Sequence, residues 1–190
     1  MYDVVIIGGG PAGQSAALFT SKAGKATLII DDAKGLTQKA WVRNHYGVDD
    51  VAGGDLVKVG HQQAAKFGTE FVKAKVKNII QSGEGFTIET EEGENYQAQQ
   101  VILATGANQK LAQDIGLETK DGQEPYVKTV IVVDAEGRTS LKGIWAAGTA
   151  GGVSVHTIVT SGDGARVAIN LLSELEGKRY VDHDVLDKKK

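Results

Sequence analysis

Val4-Val5-Ile6-Ile7-Gly8-Gly9-Gly10-Pro11-Ala12-Gly13 joins a buried strand to a glycine turn near the start of the chain. Four β-branched residues in succession mark a strand buried on both faces, because a strand with one wet face alternates apolar and polar residues. The run then breaks into Gly8-x-Gly10-x-x-Gly13. The first glycine permits the tight turn out of the strand, the second lets a pyrophosphate approach the backbone, and the third packs helix on strand. Pro11 and Ala12 lie where that helix begins, and its unsatisfied N–H groups and positive dipole end favour two phosphates without any basic side chain. Residues 15–23 are helix-compatible, and Ala26-Thr27-Leu28-Ile29-Ile30 reads as a second buried strand. The βαβ unit closes within about 30 residues, the length of a right-handed crossover between neighbouring parallel strands. Asp31 follows Gly13 by 18 residues, where a carboxylate accepts hydrogen bonds from ribose hydroxyls and repels a 2'-phosphate. Asp32 has two readings, a second ribose contact or a solvated loop acid.

Composition bounds the rest. A chain of 190 residues with 41% hydrophobic content is long enough for one domain with a sizeable core. The 25 glycines cluster beside apolar runs as turn residues instead of forming a low-complexity tract. A net charge of −3 gives no general attraction to nucleic acid or anionic membrane, and the Lys188-Lys189-Lys190 tail reads as a solvated end. With no cysteine there is no disulfide framework, thiolate metal site or redox dithiol, and no metal site is expected. Met1-Tyr2-Asp3 carries an acid where a signal peptide has Lys or Arg, and the apolar run after it is too short to span a membrane, so the expected location is cytoplasmic.

Beyond the βαβ unit, residues 55–67 read as a helix with Leu56, Val59, Ala64 and Phe67 among its apolar positions. Short strands at 71–72, 76–80, 86–88 and 95–97 read as an antiparallel meander, with turns at 82–85 and 92–94. Residues 100–103, 130–133 and 144–146 read as buried parallel strands, and 158–175 as a long final helix ending near Gly177. Residues 108–126 form a polar join. The expected fold is therefore α/β: a single Rossmann-like domain over 1–190, with a central parallel sheet, helices and a small antiparallel meander.

Val101-Ile102-Leu103-Ala104-Thr105-Gly106 and Gly143-Ile144-Trp145-Ala146-Ala147-Gly148 add a second layer of signal. With them, nearly the whole chain resembles the FAD domain of thioredoxin reductase-like flavoproteins. The resemblance implies FAD as cofactor. It places Ala104, Thr105 and Gly106 against FAD and gives Gly148 a place in the late turn that holds ribitol and pyrophosphate. Thr149 stands where the family has Asp, offering a hydroxyl in place of a carboxylate. Thr37 and Asn44 fall where similar reductases meet the flavin, while Trp41, His45 and Tyr46 either line the flavin's opening or pack their loop onto the core. Val76 matches a position whose backbone contacts adenine, and reads equally as strand core. The segment through His156, Thr157 and Ile158 resembles the helix start that cups the flavin's N1 and O2, where backbone N–H groups stabilise negative charge developing on reduction. His156 is read as a flavin contact, as a group that moves a proton in catalysis, or as a capping or packing residue.

In that family the FAD domain is interrupted by an NADPH domain with a second glycine fingerprint and a Cys-x-x-Cys pair, and neither occurs here. Residues 1–107 resemble the first half of the FAD domain and 108–190 the second. The expected activity is a flavoprotein oxidoreductase without a redox disulfide. Its flavin takes electrons from a small-molecule donor such as NAD(P)H, or from a partner protein, and passes them to a small acceptor; no residue is assigned a catalytic role. A second reading is a non-catalytic FAD-binding module docking a partner reductase, and a third an NAD-binding protein. Similar FAD domains pair, so a homodimer is the expected assembly.

Overall fold

The computed structural model describes residues 1–185; the Lys188-Lys189-Lys190 tail lies outside them. Strand β1 (Tyr2–Ile7) leads through the glycine turn into helix α1 (Pro11–Lys22), and strand β2 (Thr27–Asp31) returns parallel beside β1. A 3-10 turn (Leu36–Lys39) and the short antiparallel pair β3 (Trp41–Val42) and β4 (Val51–Ala52) precede helix α2 (Gly53–Ala65). Strands β5 (Glu70–Lys73), β6 (Val76–Ser82), β7 (Gly85–Thr90) and β8 (Asn95–Leu103) follow. Helix α3 (Lys110–Asp114), the hairpin strands β9 (Thr119–Asp121) and β10 (Thr129–Ile131), strand β11 (Ile144–Ala146), a 3-10 turn (Gly148–Gly151) and helix α4 (Thr157–Glu176) complete it.

The main sheet runs β5-β2-β1-β8-β7-β6, with β11 also paired to β8. Three expectations need correcting. The strand at 71–72 is not part of the meander: β5 lies parallel to β2 at the sheet edge, because α2 makes a full crossover between them. The strands expected at 95–97 and 100–103 are one strand, β8, whose first half pairs antiparallel with β7 and whose second half pairs parallel with β1 and β11. The run at 130–133 is not a parallel strand. Thr129–Ile131 pairs antiparallel with Thr119–Asp121 outside the main sheet, though Ile131 still reaches the core.

Alternation along β1 explains its continuous apolar character. Val4 and Ile6 face a core made with Ala12, Ala16 and Ala17 of α1, Ala64 of α2, and Val167, Ala168 and Leu171 of α4. Val5 and Ile7 face the opposite core, filled by Val76, Ile79, Phe86 and Ile88 of the meander and by Ala112, Leu117 and Ile131. The polar join at 108–126 is thus structured, with α3 and β9 inside it. On α2 the apolar stripe is narrower than expected, for Ala64 is fully buried while Val59 and Phe67 are exposed. Helix α4 ends as its sequence dictates: Gly177 takes the left-handed conformation (φ 65°), and the N–H of Lys178 donates to the Ser173 carbonyl. No helix among the described residues is long and apolar enough to cross a membrane.

Candidate functional site

Strands β1, β2, β8 and β11 run parallel, so their C-terminal ends open on the same edge of the sheet. That edge is where open α/β sheets bind ligands. Ile7 leads there into the Gly8–Gly13 turn, Leu103 into Ala104-Thr105-Gly106, and Ala146 through Ala147 into Gly148-Thr149; β2 ends there at Asp31. Four segments widely separated in sequence thus meet, and they contain eleven of the residues singled out above: Gly8, Gly10, Pro11, Ala12, Gly13, Asp31, Ala104, Thr105, Gly106, Gly148 and Thr149.

The glycine turn has the required geometry. Gly8 has φ +108°, a conformation side chains disfavour, and a Cβ there would collide with the Ala104 carbonyl. A Cβ on Gly13 would collide with the Gly8 carbonyl, so that glycine sets the approach of α1 to β1. Gly10 differs, since a Cβ there meets no protein atom within 4 Å. Its open side faces away from the protein at the N-terminus of α1, whose N-cap provides no side-chain hydrogen bond and whose first turn has no acid. A cradle bare of side chains, at a helix end with unsatisfied donors, fits a diphosphate. Asp31 lies against this turn: a Cβ on Gly9 would stand 3.0 Å from its side-chain atoms, and its Oδ2 also accepts the Ala33 N–H at 3.2 Å. Asp32 accepts the Lys34 N–H at 3.1 Å, so both acids brace the bend after β2.

The late turn is fixed from α4. Gly148 takes φ +68°, and a Cβ there would come within 2.6 Å of the Ala12 Cβ. Its N–H donates to Asp163 Oδ2 at 2.7 Å. Thr149 is buried beside it. Helix α4 opens at His156, whose carbonyl accepts the Thr160 N–H, and no side chain caps its first N–H groups. His156 is exposed and its Nδ1 sits 2.8 Å from Ser154 Oγ; Thr157 is buried and Ile158 exposed.

The loop between β2 and α2 reaches this helix start through a hydrogen bond, His45 Nδ1 to Thr157 Oγ1 at 3.1 Å. Trp41 and Tyr46, 60% and 93% exposed, do not pack their loop onto the core. Asn44 is exposed as well, whereas Thr37 lies against α2, where its carbonyl leaves no room for a Cβ on Gly53. Val76 begins β6 with its side chain in the core, which leaves only its backbone for a ligand.

Two contributors went unread in the sequence. Gln109, 4% exposed, accepts from the Thr105 hydroxyl at 3.2 Å and donates to the Gly106 carbonyl at 2.8 Å. It ties the first residues of the second half to the turn ending the first. Asp163 sits in a Gly-Asp-Gly run within α4 that periodicity alone marks only as helix. Beside Gln109 the surface has a depression of about 310 Å³ at the 107–108 join, lined in part by Lys110, Tyr126 and Lys128. Among the described residues no group of His, Asp and Glu side chains is arranged to hold a metal ion.

Comparison with known proteins agrees with this geometry. The family described as pyridine nucleotide-disulphide oxidoreductase matches residues 55–164, and the FAD binding domain family matches residues 1–47. Among curated proteins, thioredoxin reductase of Aquifex aeolicus (strain VF5) is 38% identical over 116 residues, covering 58% of this chain and 35% of that protein. Thioredoxin reductase of Listeria innocua is 36% identical over 126 residues, covering 65% and 39%. The chain thus spans little more than a third of the length of these relatives. Among solved structures, a thioredoxin reductase from Gloeobacter violaceus superposes with a TM-score of 0.80 at 20% identity, covering 97% of this chain and 99% of that one. An oxidoreductase from Agrobacterium tumefaciens gives 0.81 at 17% identity, covering 93% and 99%. At these identities the structural likeness shows the fold, which is that of the Rossmann-like FAD domain. The cofactor is FAD, which the bare glycine cradle and the Asp31 carboxylate fit. With one family's pattern running from α2 into α4 and the FAD pattern over the first βαβ turn, the chain belongs to the pyridine nucleotide-disulphide oxidoreductase family.

Proposed function

We propose that this chain is a one-domain flavoprotein oxidoreductase whose FAD takes electrons from an external donor, a nicotinamide nucleotide or a partner protein, and gives them to a small acceptor. The observation that carries this reading is the convergence of the glycine turn, the Ala104–Gly106 turn and the Gly148–Thr149 turn at the C-terminal ends of adjacent parallel strands. Bound FAD supplies hydride and single-electron chemistry that side chains lack. The chain's own residues hold and tune it. The α1 N-terminus takes the diphosphate, with Gly10 and Pro11 leaving room, and Asp31 takes ribose hydroxyls, with Asp32 beside it. Ala104, Thr105, Gly106, Gly148 and Thr149 line the same sheet edge, and Val76, at the start of β6, offers only its backbone. Thr37 and Asn44 belong to the loop that His45 pins to Thr157. The N–H groups of Thr157 and Ile158 begin α4 without intrahelical partners, and they favour negative charge nearby.

No cysteine occurs in these 190 residues, so no thiolate is available in them for exchange with a disulfide. Electrons therefore leave for an acceptor that needs none, such as oxygen or a quinone. The deciding experiment is anaerobic addition of NADH, NADPH or a small thiol to FAD-loaded protein, followed at the flavin's oxidised absorbance band. Bleaching by a donor and recovery on admitting a quinone or oxygen is the expected result. A flavin that none of these donors bleaches would remove direct turnover.

A second reading has its own observation. Trp41, Tyr46, Val48, Val155, Ile158 and Val159 all leave apolar surface exposed in the two segments joined by the His45–Thr157 contact. Such a surface favours docking of a partner chain, a reductase or a second copy of this one. Bleaching only in the presence of a specific reductase would select it, and light scattering at twice the chain mass would select the homodimer.

A further inference from the structure

Asp163 is a charged side chain only 7% exposed, placed in α4 where it meets the rest of the site. Burying a carboxylate is costly unless both oxygens are engaged, and here they are. Oδ2 accepts the Gly148 N–H at 2.7 Å, while Oδ1 receives Arg166 through Nε at 2.9 Å and Nη2 at 2.8 Å. Arg166 is itself anchored by donating to the Ala135 carbonyl. The next residue, Gly164, packs so closely on the Ala12 carbonyl that a Cβ would collide with it, and Gly148 presses on the Ala12 side chain. The carboxylate therefore sits where the α1 N-terminus, the Gly148–Thr149 turn and α4 come together.

We propose that Asp163 and Arg166 act as one positioning unit for FAD, resting on the assignment of these turns to the FAD site. Asp163 fixes the turn. A charge-assisted hydrogen bond to the Gly148 N–H holds a left-handed turn more firmly than a neutral acceptor does. Arg166 cancels the charge. A bare carboxylate beside the helix end that receives a diphosphate would repel it, and the guanidinium removes that repulsion while keeping Asp163 oriented. The pair thus gives the turn rigidity without placing net negative charge beside the phosphates.

The test is FAD titration of the apo-protein by flavin fluorescence, with the melting temperature of each apo form measured alongside. Asp163→Asn keeps the shape and should weaken FAD about fivefold. Arg166→Met exposes the phosphates to an uncompensated carboxylate and should weaken FAD at least ~tenfold at low salt, a loss that shrinks as salt approaches ~0.5 M. Combining them removes the repulsion, so the double variant should return to within about threefold of Asp163→Asn alone. A merely structural role predicts the opposite, additive losses that follow the fall in apo stability. Arg166→Met within twofold of the parent protein, or a double variant with no recovery, overturns the proposal. If Arg166→Met does not fold, Arg166→Gln is decisive: it removes the charge but keeps a donor toward Asp163, and should weaken FAD at least ~tenfold at low salt, whereas binding within about twofold of the parent refutes the electrostatic account. Parent protein that binds no FAD would instead overturn the site assignment itself.

Discussion

Gly10 and Gly13 stand three positions apart and are glycine for opposite reasons. At Gly13 the protein itself forbids a side chain, because the Gly8 carbonyl occupies the space. At Gly10 the protein leaves the space open, and the backbone there (φ −78°) suits any residue. Gly13→Ala should therefore destabilise the apo-protein by about 1–3 kcal/mol through overpacking, read as a lowered thermal midpoint. Gly10→Ala should leave the apo midpoint unchanged and weaken FAD at least ~tenfold, because its methyl enters the diphosphate's place. Equal effects of the two on apo stability would contradict the open cradle. Gln109 makes a similar case with polar atoms. Gln109→Leu removes the partner of the Thr105 hydroxyl and the Gly106 carbonyl and should cost about 1–3 kcal/mol, measured by denaturant unfolding. Gln109→Glu, which keeps the acceptor for Thr105 but sets a buried carboxylate oxygen against the Gly106 carbonyl, should cost at least as much.

Among the elements, the loop between β10 and β11 is held by one acid. Asp134 Oδ1 accepts the N–H groups of Glu136, Gly137 and Arg138, and Oδ2 meets the Arg138 guanidinium at 3.1 Å. Burial alone would raise its pKa, but the backbone and side chain of Arg138 outweigh that and hold it below the ordinary carboxylate value. A depressed folded-state pKa gives stability that is present above the unfolded value and lost as pH falls through the folded one. Unfolding midpoints of the parent and of Asp134→Asn, measured from pH 6 downward, should therefore converge below about pH 4. A gap that persists undiminished at low pH would refute the assignment. Strand β8 shows a different elemental lesson. Its sequence splits into a polar half, Asn95-Tyr96-Gln97, and an apolar half, Val101-Ile102-Leu103, because its neighbours change along its length. The first half borders the meander β7 and the second is flanked by β1 and β11, so burial switches within a single strand.

At the scale of the molecule, residues 1–107 and 108–190 are interdependent. Strand β11 of the second half supplies the partner for Val101, Ile102 and Leu103, and α4 covers Val4 and Ile6 of the first. Fragments divided between Ala107 and Asn108 should each lack a cooperative thermal transition and bind no FAD, and a mixture should recover both. A first fragment that melts cooperatively alone would break the one-domain proposal. Much of this arrangement was legible in advance. The buried strands at β1 and β2, the first crossover, the meander from β6 to β8 and the left-handed end of α4 all follow from periodicity and glycine placement. The hairpin of β9 and β10 was not legible, because an apolar run such as Val130-Ile131-Val132-Val133 signals burial without naming a partner.

Residue type and local spacing were enough to read the glycine turn, the acid at Asp31 and the lack of any cysteine. Folding alone set Asp163 against Gly148 and Gln109 against the Thr105–Gly106 turn, turned Trp41 and Tyr46 outward, and put β5 beside β2 instead of in the meander. Those outcomes depend on which surfaces meet after the chain has crossed over itself. Contact between residues 15 positions apart, as in Gly148 and Asp163, or 112 apart, as in His45 and Thr157, follows from the packing of α4 on α1 and the sheet, which no local pattern encodes.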